Sequence, residues 1–232
     1  MTYEKKILKC QICRNIGEFK IFEAQDYNKA NTINFDYSIC PYCGCMHIVS
    51  VPNNLSEYYG NSYYSFHLRK RKNMADIFVR WLMEKRDTFE IIHKKYIGRI
   101  MHRLIPRPAY GVIGDYSKLT DAILDVGCGD GYLLYFLEKL GYKNLSGCDR
   151  FMAGEVFKNN FNSKIKFIFG TIEQCAEIYD LIMFHHSFEH IENPRETLVH
   201  AYQKLRGGEF FLYLFLLQDQ MHLKNLENFG FN

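Results

Sequence analysis

Apolar positions recur with two different periods along the chain, and the change of period marks its main division. From Asp121 onward, short apolar runs alternate with stretches of helical spacing. Ala122–Val126, residues 145–148, residues 165–169 and Leu181–Phe184 read as strands. Tyr132–Leu140 reads as a helix stopped at Gly141, and residues 193–205 as another. Residues 209–217 read as a fifth strand, in which Phe210 to Leu217 is an unbroken apolar run. Strands alternating with helices predict an α/β domain with a doubly wound parallel sheet, whose ligands bind at the carboxyl ends of the strands where the topology reverses. Upstream, Ile77, Trp81, Phe89, Ile92, Tyr96, Ile100 and Leu104 step by mixed threes and fours, so residues 74–104 read as one or two amphipathic helices, ended by Pro106 and Pro108.

Composition narrows the class. The chain has 232 residues, 47% hydrophobic and 24% charged, which excludes a disordered, collagenous or coiled-coil protein and suits one full domain with a small appendage. Lys+Arg 29 against Asp+Glu 26 leaves a net charge of +3, which does not argue for a nucleic-acid coat protein. Phe210 to Leu217, the longest apolar run, is far short of the roughly 18 residues of a membrane span, so no membrane partner is expected. Glu4, Lys5, Lys6 and Lys9 are followed by no apolar stretch of the kind a secretory signal carries, so a cytoplasmic protein is expected. Eight cysteines then read as thiols or metal ligands, not disulfides.

Cys10 and Cys13 form one C-x2-C pair and Cys40 and Cys43 a second, with Cys45 and His47 just beyond. Two thiolates separated by two residues curl around one ion, and two such pairs supply a tetrahedral zinc. Gly44 supports the second knuckle by tolerating positive φ. The 26 residues between the pairs exceed the usual ~15–20 and leave room for a β-hairpin. The ligand set is Cys10, Cys13, Cys40 and Cys43, with Cys45 and His47 as alternatives for the fourth place; a closed set of four makes the zinc structural. Residues 1–52 are thus a zinc-ribbon-like segment, and residues 53–118 a helical linker. The linker carries an aromatic stretch at 57–66 and the basic run Arg69, Lys70, Arg71 and Lys72. Interleaved tyrosines and cations could bind single-stranded nucleic acid, but so short a run reads more simply as a solvated cationic stripe.

Residues 119–232 hold the ligand-binding motifs. Asp125-Val126-Gly127-Cys128-Gly129-Asp130-Gly131 follows the first strand, and its glycines allow a tight turn and close approach of a ligand to the backbone. A dinucleotide fingerprint would need a third glycine where Tyr132 stands, and the two carboxylates would repel a pyrophosphate. They suit a ligand with an ammonium and a sulfonium, S-adenosylmethionine (SAM). Asp149, 24 residues after Asp125 and at the tip of the second strand, can accept both ribose hydroxyls.

With loop and acidic tip in place, residues 119 to 213 resemble the class I SAM-dependent methyltransferases, which have a Rossmann-like sheet. The resemblance implies that Gly127, Gly129 and Gly131 line the methionine part of SAM, that Asp149 holds the ribose, and that Thr171, Ile172 and Glu173 border the adenine. His185 at the end of the fourth strand is counted with the cofactor residues. The four-cysteine front, Tyr63-Tyr64-Ser65-Phe66 and the run His185 to His190 are also similar to methyltransferases of bacterial polysaccharide and sugar biosynthesis. For catalysis, a helical turn opening at Ser187 would place His186, Glu189 and His190 at i, i+3 and i+4 on one face, where a histidine could take the proton of a hydroxyl acceptor. Each histidine could equally be a packing or backbone-bonded residue. His186-x-x-Glu189-His190 also resembles the metal site of some O-methyltransferases, with a histidine where that site has its first glutamate.

Methyltransferases of this class continue beyond the fifth strand to a helix and a hairpin. Here fifteen residues without strand alternation follow Leu217, so the sheet reads as truncated after strand five, with Phe210 to Leu217 an exposed edge prone to self-association. The function expected is methyl transfer to a small-molecule acceptor, a sugar nucleotide or glycan precursor. The alternatives are a zinc-ribbon ribosomal-RNA methyltransferase and an inactive SAM-binding module.

Overall fold

The computed structural model describes residues 4–26, 33–50, 74–93, 96–106, 108–152, 163–206, 212–214 and 221–223. The N-terminal antiparallel sheet and the parallel sheet with its helices belong to two compact units.

The first is built on four antiparallel strands, β1 (Glu4–Lys9), β2 (Ile16–Asp26), β3 (Ile33–Ile39) and β4 (Met46–Ile48), in that order across the sheet. One C-x2-C knuckle joins β1 to β2 and the other joins β3 to β4, while β2 and β3 pair with Lys20 opposite Ile39. That pairing is the hairpin the long gap between the cysteine pairs predicts. Phe19, Ile21 and Ile12 are buried with Cys10, Cys40 and Cys45, but Ile7 is 78% and Ile16 63% exposed. So few enclosed side chains make a thin core, which a small unit of this kind reinforces with a cross-link.

The second unit contains helices α1 (Met74–Ile92), α2 (Tyr96–Leu104), α3 (Pro108–Tyr116) and α4 (Tyr132–Leu140), while α5 (Pro194–Gln203), late in the chain, is divided between the units, its residues up to Val199 falling in the first. Its strands are β5 (Ala122–Val126), β6 (Asn144–Asp149), β7 (Lys166–Phe169), β8 (Leu181–Phe184), β9 (Leu212–Leu214) and β10 (Met221–Leu223). They run in the order β10-β9-β8-β5-β6-β7. β5 to β9 are parallel, and the chain departs from β5 to β6 and β7 on one side and to β8 and β9 on the other. The Rossmann-like class read from the alternation is the fold observed, with its switch point at β5. β8 is buried at all four residues, as a central parallel strand covered on both faces must be. Leu133, Leu134, Phe136 and Leu137 of α4 close over Ile123, Leu145, Leu181 and Met183, and each fully buried side chain of this kind contributes about 1.5–3 kcal/mol.

Three expectations change. Residues 53–118 do not act as a spacer over their described part: Ile91 of α1 and Tyr110, Val112 and Ile113 of α3 are buried in the core of the parallel-sheet unit. The tyrosine-rich and basic stretches at 57–66 and 69–72 lie outside the described residues. Pro108 does not end a helix but begins α3 at the first helical position, where its missing N–H costs nothing and its fixed φ is already helical. Finally, the residues after Leu217 do contribute a strand. β10 pairs antiparallel with β9, Met221 opposite Leu214, so the described part of the fifth strand is not an exposed edge. Three residues are too short to show an alternation by which sequence pattern could find them.

Candidate functional site

Two groups of residues can carry chemistry, one in each unit. In the first, Cys10 Sγ lies 3.6 Å from Cys43 Sγ and Cys13 Sγ 3.7 Å from Cys40 Sγ. All four sulfurs fall within 4.8 Å of one another. A tetrahedral ion with Zn–S bonds of ~2.3 Å separates its sulfurs by about 3.8 Å, so the four can hold one metal. The knuckles repeat each other. Arg14 N–H donates to Cys10 O at 3.1 Å and Gly44 N–H to Cys40 O at 3.0 Å, with φ of 61° and 73° at Arg14 and Gly44. Cys10 Sγ accepts from Ile12 and Cys13 N–H, and Cys40 Sγ from Tyr42 N–H, all at 3.4 Å. Such bonds favour thiolates, whereas burial pushes the Cys10 and Cys43 thiols well up, an opposition that a dication removes. Cys45 stands outside the four-sulfur group and is buried, and that burial pushes its thiol up to about 11.

In the second unit the loop from β5 to α4 sits at the switch point. Gly127, Gly129 and Gly131 all have positive φ, at 76°, 56° and 72°. A Cβ on Gly127 would stand 2.4 Å from Ser187 Cβ, and one on Gly131 2.6 Å from the Phe167 ring. The loop is tied to the next strand through Gly127 N–H, which donates to Cys148 O at 2.7 Å. Gly129 N–H donates to Asp149 Oδ2 at 2.9 Å and Phe151 N–H to Asp149 Oδ1 at 2.7 Å. Asp149 therefore anchors the loop with one lone pair of each oxygen, and the other stays available to a ligand hydroxyl. Ser187 hydroxyl donates to Val126 O, which seats the segment after β8 directly over Gly127.

Asp125 is the anomaly of the site. It is 2% exposed, and its Oδ1 has no hydrogen-bond partner among the described residues. Burial first, and then the Asp149 charge, push its carboxyl up to about 8, against a lowering by the His185 backbone N–H. A buried carboxyl left half-satisfied is costly, and a cationic group beside it would remove the cost. The glycine cradle and this unfilled acceptor fit the ammonium-bearing end of SAM.

Thr171, Ile172 and Glu173 follow β7, where Thr171 N–H donates to Gln174 Oε1 at 2.7 Å at the start of the short 3-10 turn Ile172–Gln174. Ile172 is 1% exposed, so its side chain belongs to the core and only its backbone is left to border a ligand. Glu173 is exposed and lies 3.8 Å from His200 Nε2.

The histidines are arranged differently from the α-turn read in the sequence. Phe188–His190 is a single 3-10 turn, and His190 N–H donates to Ser187 O at 3.1 Å. His186 precedes the turn with φ of 54°, in the left-handed region that costs a non-glycine residue energy. His186 is exposed and close enough that, after partial desolvation, it lowers the pKa of His190. The Glu189 side chain lies outside what is described, so no three-residue face is seen. His185 packs 4.7 Å from the His186 ring and 5.8 Å from Tyr110, which is 2% exposed. Ser187 is the residue at the candidate site that sequence reasoning missed, and Tyr110 on α3 is a buried neighbour of His185 that it also missed. Pro108 at the start of an apolar stretch was the available signal for α3; nothing in the sequence marked Ser187 as the side chain that faces Gly127.

This architecture, a parallel sheet with a glycine loop and acidic tip at its switch point, is that of a nucleotide-cofactor enzyme. Residues 89–231 match the family described as a methyltransferase domain, well over half of the chain, and the chain belongs to that family. It is similar to the ubiquinone biosynthesis O-methyltransferase of Rickettsia typhi (strain ATCC VR-144 / Wilmington), with 26% identity over 148 residues, 61% of this chain and 58% of that protein. The mitochondrial ubiquinone biosynthesis O-methyltransferase of Schizosaccharomyces pombe is 30% identical over 92 residues, 36% of this chain and 34% of that one. The chain spans about half the length of the curated relatives it matches. Among solved structures, a plantazolicin methyltransferase in complex with SAH is 24% identical with a TM-score of 0.34, over 66% of this chain and 48% of that chain. The magnesium protoporphyrin IX methyltransferase of Synechocystis PCC 6803 with bound SAH is 16% identical with a TM-score of 0.41, over 67% and 68%. None of these names a sugar or glycan acceptor, and the expectation of polysaccharide chemistry finds no support in them.

Proposed function

We propose that the chain binds SAM at the β5–α4 loop and transfers a methyl group to a hydroxyl of a small-molecule acceptor. The observation that carries this is the buried, half-satisfied Asp125 beneath three glycines of positive φ, with the Asp149 carboxylate at the next strand tip. Bound SAM supplies a methyl group on a positively charged sulfur. Asp125 faces the cationic end of the cofactor, and the glycine backbone lets that end approach where any side chain would collide. Asp149 accepts from the ribose hydroxyls while holding Gly129 in place. Thr171 and Glu173 border the adenine. Above the loop, His190 takes the proton of the acceptor hydroxyl. Its lowered pKa keeps the imidazole neutral near pH 7, the state a general base needs. The hydroxyl as acceptor atom rests on the relatives' names, all of them O-methyltransferases. In the other unit, Cys10, Cys13, Cys40 and Cys43 would hold one zinc ion, which supplies a cross-link to a thin core.

Calorimetry with SAM and with S-adenosylhomocysteine, followed by labelled methyl transfer to a catechol and to a sugar nucleotide, tests this reading. Binding of both cofactors with transfer to the catechol supports it. Absence of cofactor binding overturns it, and transfer to the sugar nucleotide alone would restore the glycan acceptor.

A further inference from the structure

Helix α2 is packed the wrong way round for a helix of a soluble core. Its sequence, Tyr96-Ile97-Gly98-Arg99-Ile100-Met101-His102-Arg103-Leu104, is strongly amphipathic, with Ile97, Ile100 and Leu104 on one stripe. A core helix buries that stripe. Here the buried side is the opposite one, where Gly98 meets α1 so closely that a Cβ would stand 2.3 Å from Lys85 O and 2.6 Å from Phe89 Cβ. His102 fastens the same side, its Nδ1 lying 2.6 Å from Oε1 of the buried Glu90 and its ring 5.5 Å from Phe89. The apolar stripe faces outward: Ile97 is 45%, Ile100 60% and Leu104 69% exposed, and Ile105, just beyond, 49%. The charge is one-sided as well. Arg99, His102 and Arg103 stand on the helix without an acidic residue, and in sequence Lys94, Lys95 and Arg107 flank it. Arg99, His102 and Arg103, with Phe89 and Ile100, line a cleft of about 540 Å³ beside the stripe.

We infer that α2 docks this chain on an anionic phospholipid surface. Leucine and isoleucine enter the acyl boundary, the arginines meet lipid phosphates at its edge, and the cleft receives one headgroup phosphate. An apolar stripe flanked by cations is what an interfacial helix presents, and positive charge selects anionic lipid over neutral lipid. Nucleic acid would engage the arginines but would leave the isoleucines in water, whereas a lipid surface satisfies both. No described helix is long and apolar enough to cross a membrane, and a helix lying in the surface does not need to be. The inference is independent of methyl transfer, since the residues concerned lie outside the cofactor loop.

The test is co-sedimentation of the full chain with vesicles of phosphatidylcholine alone or mixed with phosphatidylglycerol. Binding to the mixed vesicles only, weakened by salt and reduced about fivefold for each of Arg99→Ala and Arg103→Ala, is the result expected. Ile100→Glu with Leu104→Glu should abolish it while circular dichroism stays unchanged, because both side chains are already exposed. No sedimentation, equal binding to neutral vesicles, or undiminished binding by the double glutamate variant overturns the inference. So does concentration-dependent self-association that the glutamates abolish while vesicles are ignored, or RNA binding that the glutamates leave intact.

Discussion

At the scale of single residues the site is held under tension, and Asp125 carries most of it. Its folded pKa of about 8 lies above the unfolded value of ~3.9, so the folded chain keeps a proton that the unfolded chain has lost. Stability from this group is therefore greatest below pH ~4 and falls as pH rises to about 8, by up to ~1.4 kcal/mol per pH unit. Asp125→Asn should be more stable than wild type at pH 8 in urea unfolding, with the gap closing toward pH 4. A cation bound beside Oδ1 reverses the preference, so SAM binding near neutrality should release a proton. Calorimetry in buffers of different ionisation enthalpy reads this directly, and the absence of release would place the cationic end elsewhere. Gly127 is constrained twice, by φ of 76° and by Ser187 Cβ at 2.4 Å from where a side chain would begin. Gly127→Ala should cost more than ~1 kcal/mol of stability and most of the cofactor affinity. Adding Ser187→Gly should recover only the steric part, and simple additivity in a double-mutant cycle would argue against the contact.

At the scale of elements, one short turn bears on the proposed base and two helices bear on the core. The 3-10 turn Phe188–His190 sets His190 beside His186, and the pH dependence of turnover reports on that pairing. The acid limb of kcat should have its midpoint below ~6.5, the unperturbed histidine value. His186→Ala removes the neighbouring positive charge and should move the limb upward, whereas His190→Gln should lower kcat about 10²–10⁴-fold with little change in KM. A limb that stays put in His186→Ala would leave desolvation as the whole cause of the lowering, and an unchanged kcat in His190→Gln would mean that His190 is not the base. The two helices are α1 and α3. Ile91 is 2% exposed in the core of the parallel-sheet unit, so Ile91→Ala should cost ~2–5 kcal/mol in denaturant unfolding. An equal substitution at Tyr96, 86% exposed, should stay within ~0.5 kcal/mol. Similar small effects at both positions would return residues 74–116 to the role of a linker.

For the whole molecule, the N-terminal sheet should depend on its metal. Elemental analysis is expected to find one zinc per chain, and a strong chelator should release it together with the near-ultraviolet signal of that sheet. Protein that purifies without zinc and with four freely reactive thiols would rule the metal out. The two candidate centres were legible in the sequence because each is written locally: C-x2-C spacing brings two sulfurs close enough for one ion wherever the knuckle sits, and a glycine-rich loop followed by an acidic strand tip needs only the order of β5, α4 and β6. What sequence could not decide depends on which surfaces end up covered. Ile172 reads like its neighbours until the core claims it. His186 has no pattern that announces φ of 54°. The three residues of β10 acquire strand character only by pairing with β9. α2 looked like an ordinary amphipathic helix until its apolar stripe was seen to face outward. Local chemistry is carried by residue identity and spacing, but burial is settled by contacts between residues far apart in the chain, and only the tertiary structure holds those.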